Sequence, residues 1–220
     1  MEKPSLIVLF GKMRSGKSTL RENLEKNHGF RHVSIAAPVR AIEAAIRKTP
    51  LSIPPGATYP IREILQAIGE GGRQENESIW IRVAIQKIDE LLIDGYNVVV
   101  DDARYENEYN DLQRYMMGSP DLHMQMIMLD CAPDVRFRRW LEGRVMRGSL
   151  SAKILQKQWM NINAHPSESL DWAKHLFPGP VHADRHLLDV SPKGISMRPE
   201  DVLRRVSSLW TGRGIRRGMP

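Results

Sequence analysis

Gly11-Lys12-Met13-Arg14-Ser15-Gly16-Lys17-Ser18 follows directly on the apolar run Leu6-Ile7-Val8-Leu9-Phe10. The spacing G-x-x-x-x-G-K-S, with a buried strand before it and a helix after it, reads as a loop built to cradle phosphate. Its glycines let backbone N–H groups curl around phosphate oxygens, and the helix from Lys17 aims its positive dipole end at the same anion. Lys17 is placed to neutralise the β- and γ-phosphates, and Ser18 to offer a hydroxyl to magnesium. The expected ligands are therefore ATP and Mg2+, held by Gly11, Lys12, Met13, Arg14, Ser15, Gly16, Lys17, Ser18 and the neighbouring Thr19.

Outward from this loop the chain alternates short apolar runs with helical stretches. Leu6 to Phe10, His32 to Ile35, Asn97 to Asp101, Met124 to Leu129 and His186 to Val190 read as buried parallel strands. Lys17 to Lys26, Pro38 to Lys48, Ile79 to Ile93, Tyr105 to Met117 and Pro133 to Arg147 read as helices. The pattern predicts an α/β, three-layer fold on a five-stranded parallel sheet. One kinase-like domain over residues 1–210 is expected, with a helical insertion at 36–95, a small lid region at 133–150 and a flexible basic tail at 211–220. The prolines between Pro50 and Pro60 place a loop inside the insertion. The break Gly69-Glu70-Gly71-Gly72 argues against one continuous helix through that stretch.

A single cysteine, Cys131, excludes an internal disulfide framework and a cysteine-rich zinc site, and fits a reducing, cytoplasmic setting. No apolar run reaches the length of a membrane span, so a soluble protein is expected. The N-terminal segment leads straight into the first strand and leaves no room for a signal peptide. The formal charge of +6 is concentrated in Arg136 to Arg147 and Arg204 to Arg217, which suits polyphosphate substrates as well as nucleic acid. Small-molecule nucleotides are the favoured partners over nucleic acid, and a homodimer is compatible with the sequence.

The run Val98-Val99-Val100-Asp101-Asp102 ends a strand in carboxylates, where one would reach the magnesium shell directly or through water. Asp101 is the first choice and Asp102 the second. Arg104 follows at the rim where acceptors bind in open α/β sheets. No guanine-recognition motif follows the fourth strand, and no glutamate stands beside Asp101 to activate water.

Four stretches together carry a family resemblance: Gly11 to Thr19; Leu65-Gln66-Ala67-Ile68-Gly69 with Arg73 and Trp80; Asp101-Asp102-Ala103-Arg104 with Asn107-Glu108; and His165-Pro166-Ser167-Glu168. Ser34-Ile35-Ala36-Ala37-Pro38 adds to them. The chain resembles the phage-type deoxynucleoside monophosphate kinases of the adenylate-kinase-like group. Animal-type phosphomevalonate kinases share several of these features. The resemblance implies that Arg73 and Arg104 clamp an acceptor phosphate and that Gln66 and Trp80 hold its base. It implies that Arg136, Arg139, Arg144 and Arg147, within about a 140° arc of one helix, act as lid arginines over the phosphates. Arg104, Arg136 and Arg139 would thus join Lys17 in catalysis, with Arg144 on ATP. The same residues also fit blander roles in salt bridges, core packing or a solvated basic face. His165 to Glu168 carries no chemical role at this stage, and Leu188 to Gly194 departs from the family's turn near the donor base.

Overall fold

A computed structural model describes residues 4–48, 61–129, 131–145, 152–165 and 168–173. Four strands form one parallel sheet in the order β2-β3-β1-β4: β1 (Ser5–Phe10), β2 (Arg31–Val33), β3 (Val98–Ala103) and β4 (His123–Met128). The expected fifth strand, His186 to Val190, lies outside the described residues, as do residues 49–60, Arg147 and the tail from Thr211.

β1 is buried along its whole length, which is what a central strand covered on both faces requires. Its period of two splits the core. Leu6, Val8 and Phe10 join Val98, Val100, Val39, Trp80, Ile81, Ala84, Ile88, Tyr109 and Leu112 on one face. Ile7 and Leu9 join Val99, Ile127, Leu20, Leu24 and Phe30 on the other. Helix α1 (Lys17–His28) therefore covers one side of the sheet. Helices α2 (Ala37–Lys48), α4 (Ile79–Ile93) and α5 (Glu106–Gly118) supply the other.

β3 runs two residues past the Asn97 to Asp101 strand read from the sequence and takes Asp102 and Ala103 in beside Asp101. Alternation then sends the two carboxylates to opposite faces, Asp101 toward Arg21 of α1 and Asp102 toward the turn after β2.

The glycine-rich break is not a break. Helix α3 (Ile61–Glu75) runs through Gly69, Gly71 and Gly72 without interruption. Its propensity cost is offset by packing with α4. The Trp80 indole N–H donates to the Gly69 carbonyl at 2.9 Å, and its ring lies flush on Gly72. A Cβ at Gly72 would stand 2.7 Å from Trp80 Cε2, whereas one at Gly71 meets nothing within 4 Å. Gly72→Ala is expected to lower the melting temperature, because overpacking of roughly 1–3 kcal/mol exceeds the helix-propensity gain of at most about 1 kcal/mol. Gly71→Ala should raise it. The two thermal melts, taken side by side, check the sign of both effects.

Helix α6 (Pro133–Val145) pairs with α7 (Ala152–Asn163) through an aromatic cluster. Phe137 and Trp140 each lie 5.5 Å from Trp159 between ring centroids. This pairing, not a solvated basic face, decides the orientation of α6.

Candidate active site

The loop from Gly11 to Gly16 connects β1 to α1 at the C-terminal edge of the sheet. Gly11 has φ +143°, and a Cβ there would fall 2.5 Å from the Leu129 carbonyl oxygen and 2.7 Å from Ser15 Oγ. No side chain fits, so the glycine is dictated by both space and backbone angle. The Lys17 ammonium folds back onto the loop, donating to the carbonyls of Gly11 and Lys12, the latter at 2.8 Å. Lys17 is only 6% exposed. Burial, and then the nearby Arg104 guanidinium, push its pKa from the ordinary 10.5 down to about 7. The carboxylates of Glu168, Asp101 and Asp102 act in the opposite direction, and burial outweighs them.

Arg104 is held at both ends. Its backbone N–H and that of Tyr105 donate to the Glu108 carboxylate at 2.6 and 3.0 Å, which fixes the turn between β3 and α5. Its Nη1 donates to Glu168 at 2.5 Å. Arg73 approaches from α3 and lies 4.0 Å above the Tyr105 ring centroid. The structure therefore brings Arg73 against Tyr105, the residue next to Arg104. With α3 continuous, Arg62, Gln66, Gly69 and Arg73 fall on one helical stripe. That stripe faces the phosphate loop, for Arg62 Nη1 stands 3.9 Å from the Met13 sulfur.

Other predicted residues are placed differently. Trp80 is 7% exposed and donates its N–H to the Gly69 carbonyl, so it packs α3 against α4. Gln66 is half-buried on the α3 stripe. Arg136 is 3% exposed, lies 5.4 Å over the Trp159 ring and donates to Asn163, so it belongs to the α6–α7 packing. Arg139, one turn on, does reach the loop. Its Nη1 donates to the Arg14 carbonyl at 3.2 Å and lies near Cys131 Sγ and Gly16. Arg144 lies in helix α6, and its side chain is outside the described residues.

The two strand-end carboxylates are both engaged. Asp101 accepts from Arg21 Nε at 3.1 Å and pairs with His32 Nε2 at 2.8 Å. Its pKa is lowered, the hydrogen bonds and charges of His32 and Arg21 outweighing its burial. Asp102 accepts from Ser34 Oγ and from the backbone N–H groups of Ile35 and Ala36, pinning the turn that leads into α2. A magnesium ion brought in with a polyphosphate takes most of its ligands from phosphate and water. The exposed Ser18 hydroxyl at the start of α1 fits one direct ligand position. Asp101, with both oxygens already bonded, fits a contact through water.

Arg62 was not singled out in the sequence, and Glu108 and Glu168, though within the stretches that carry the resemblance, had no role assigned. Glu108 had a readable signal, an acid at the third position of a helix directly after Arg104, where a carboxylate caps backbone N–H groups. It is 3% exposed, and burial raises its pKa from 4.5 to about 7 against the pull of the two N–H donors. Because the folded value lies above the unfolded one, its contribution to stability is complete below pH 4.5 and is lost as pH rises through 7. Glu108→Gln should therefore gain thermal stability relative to the parent between pH 5 and pH 8. A difference that stays flat over that range would mean the carboxylate is ionised throughout.

A family model described as an AAA domain matches residues 7–156. The chain belongs to the AAA domain family. Its fold is accordingly a P-loop α/β fold on a parallel sheet. Among solved structures, a putative kinase from Chloroflexus aurantiacus is 19% identical at a TM-score of 0.47, over 71% of this chain and 75% of that one. A chain of the Pnkp1/Rnl/Hen1 RNA repair complex is 15% identical at 0.47, over 81% of this chain and 47% of that one. A gluconokinase from Sinorhizobium meliloti 1021 is 16% identical at 0.42, over 97% of this chain and 99% of that one. None of these likenesses bears on the substrate. No curated protein matches the sequence. Among the described residues no helix is long and apolar enough to cross a membrane.

Proposed function

We propose that the protein transfers the γ-phosphate of ATP to a small phosphorylated acceptor, a deoxynucleoside monophosphate by the resemblance of its motifs. The observation that carries this reading is the buried Glu168 carboxylate, which accepts the Met13 N–H of the phosphate loop at 2.7 Å and Arg104 Nη1 at 2.5 Å and so sets Arg104 beside that loop. Lys17 belongs to the donor loop, and Arg104 with Arg73 belongs to the acceptor side. A phosphoryl group passing between them would carry its charge into the space those cations share. Hydrolysis alone would not call for a pair of arginines opposite the loop.

The acceptor is already substantially dianionic at neutral pH, with a second pKa of about 6, so no general base is needed to create the nucleophile. The protein's task is alignment and charge stabilisation. Lys17 would leave the Gly11 and Lys12 carbonyls for the phosphates. Arg73 and Arg104 would hold the acceptor phosphate, their planar forks matching its oxygens. Arg139 would reach the donor phosphates from α6. Magnesium, when bound with ATP, supplies Lewis-acid stabilisation of the phosphate oxygens, with Ser18 and Asp101 as its protein partners.

An ADP-release assay across deoxynucleoside monophosphates, ribonucleoside monophosphates and phosphomevalonate tests the proposal. Transfer to a deoxynucleoside monophosphate is the expected result. Transfer to phosphomevalonate alone would keep the chemistry and replace the acceptor. ATP hydrolysis stimulated by DNA, with no phosphorylated nucleotide formed, would overturn it.

A further inference from the structure

Glu168 lies far from the phosphate loop in sequence and is 1% exposed in the structure. One carboxylate oxygen accepts the Met13 backbone N–H at 2.7 Å, and the other accepts Arg104 Nη1 at 2.5 Å. A single buried carboxylate therefore touches the donor loop and the acceptor arginine at once. Its seat is rigid. The residues after it dock on the core through Trp172, whose ring lies 6.0 Å from Phe10 and 5.8 Å from Tyr109 between centroids. Leu170 and Ala173 are buried on either side of that ring. Phe10 is the last residue of β1 and Tyr109 lies in the first turn of α5, so the segment bridges the two elements that carry the loop and Arg104.

Burying a carboxylate is costly, and a hydrophobic residue would fill such a space at lower cost if packing were its only purpose. The partners explain the choice. Glu168 acts on the Arg104 guanidinium while Glu108 fixes the same residue's backbone, so the arginine is held at both ends. A long flexible arginine left to itself would have to be ordered in each catalytic cycle, at a cost in side-chain entropy. The Met13 N–H gives the carboxylate a fixed reference on the loop itself. Arg104 is thereby aligned with the very backbone that receives the donor phosphates.

We propose that Glu168 is a positioning residue that sets Arg104 against the phosphate loop and so aligns donor and acceptor for transfer. This rests on the reading of the protein as a small-acceptor kinase. It predicts a loss that travels through Arg104. Glu168→Gln should lower kcat/KM for the acceptor about 10- to 100-fold and change the ATP Kd less than about threefold. In an Arg104→Met background the same substitution should cost less than about threefold more, because the group it positions is gone. Glu168→Asp, which keeps the charge on a shorter stem, should recover part of the loss and serves where the glutamine variant folds poorly.

Amide NMR on the apo protein gives a readout that needs no turnover. The Met13 N–H, bonded to a charged carboxylate, should resonate downfield and move upfield in Glu168→Gln. It should shift in Arg104→Met as well, since both bonds share one carboxylate. Losses that add independently in the double variant, or a Met13 amide indifferent to both substitutions, would overturn the positioning role. A parent protein that phosphorylates no acceptor, while its Met13 amide responds to both substitutions, would overturn the kinase reading and leave the carboxylate bridge standing.

Discussion

Lys17→Ala is expected to abolish phosphate transfer and to leave a folded protein. In the free protein the ammonium is buried against the Gly11 and Lys12 carbonyls, and it is the one lysine at the start of α1. Its charge is needed where negative charge develops on the transferring group, and loss of such a stabiliser costs about a thousandfold or more in kcat, roughly 4 kcal/mol. The sheet does not depend on it. β1 is held by parallel pairing to β3 on one side and β4 on the other, with its side chains divided between two apolar clusters. The substitution also removes a cation whose burial is unfavourable, as its depressed pKa records. Lys17→Arg should not restore turnover, because the wider planar fork does not fit a seat lined by the loop's own carbonyls. The ADP-release assay beside a thermal melt checks both halves. Full activity in the folded alanine variant would remove the mechanism.

Arg104→Ala is expected to strike the acceptor side alone. KM for the acceptor should rise about tenfold and kcat should fall about 10- to 100-fold, with the ATP Kd little changed. The geometry explains the split. Arg104 bonds to Glu168 and to the Glu108-fixed turn, not to residues of the donor loop, and its influence on Lys17 is through charge. Removing that neighbouring cation also leaves Lys17 freer to stay protonated, so donor binding should not weaken. The charge-retaining Arg104→Lys should recover only part of the loss, since a point charge replaces a two-pronged donor. Equal losses for ATP and acceptor would show that the residue holds the loop together instead.

Two of these placements share one cause. Trp80 and Arg136 carry motif-like spacing, yet each is claimed by packing, Trp80 by Gly69 and Gly72 and Arg136 by Trp159 and Asn163. Arg139 lies only three residues from Arg136 and reaches the loop. Periodicity placed all these arginines on one face, and it could not say which part of that face another helix would cover.

The donor site was local, and local sequence determined it. Gly11 through Ser18 lie in one unbroken stretch, so the strand, the turn that excludes a Cβ and the helix start all follow from neighbouring residues. The strands at Leu6, Met124 and Val98 were legible for the same reason, as short apolar runs with clear boundaries. The proposed acceptor side was decided by tertiary structure. Arg62 and Arg73 reach the site only because α3 runs through three glycines, and it does so because the Trp80 ring needs the missing side chain at Gly72. Glu168 reaches both Met13 and Arg104 only because Trp172 docks on Phe10 and Tyr109. Neighbours along the chain fix backbone shape, whereas contacts between distant segments depend on which surfaces the core leaves to be covered.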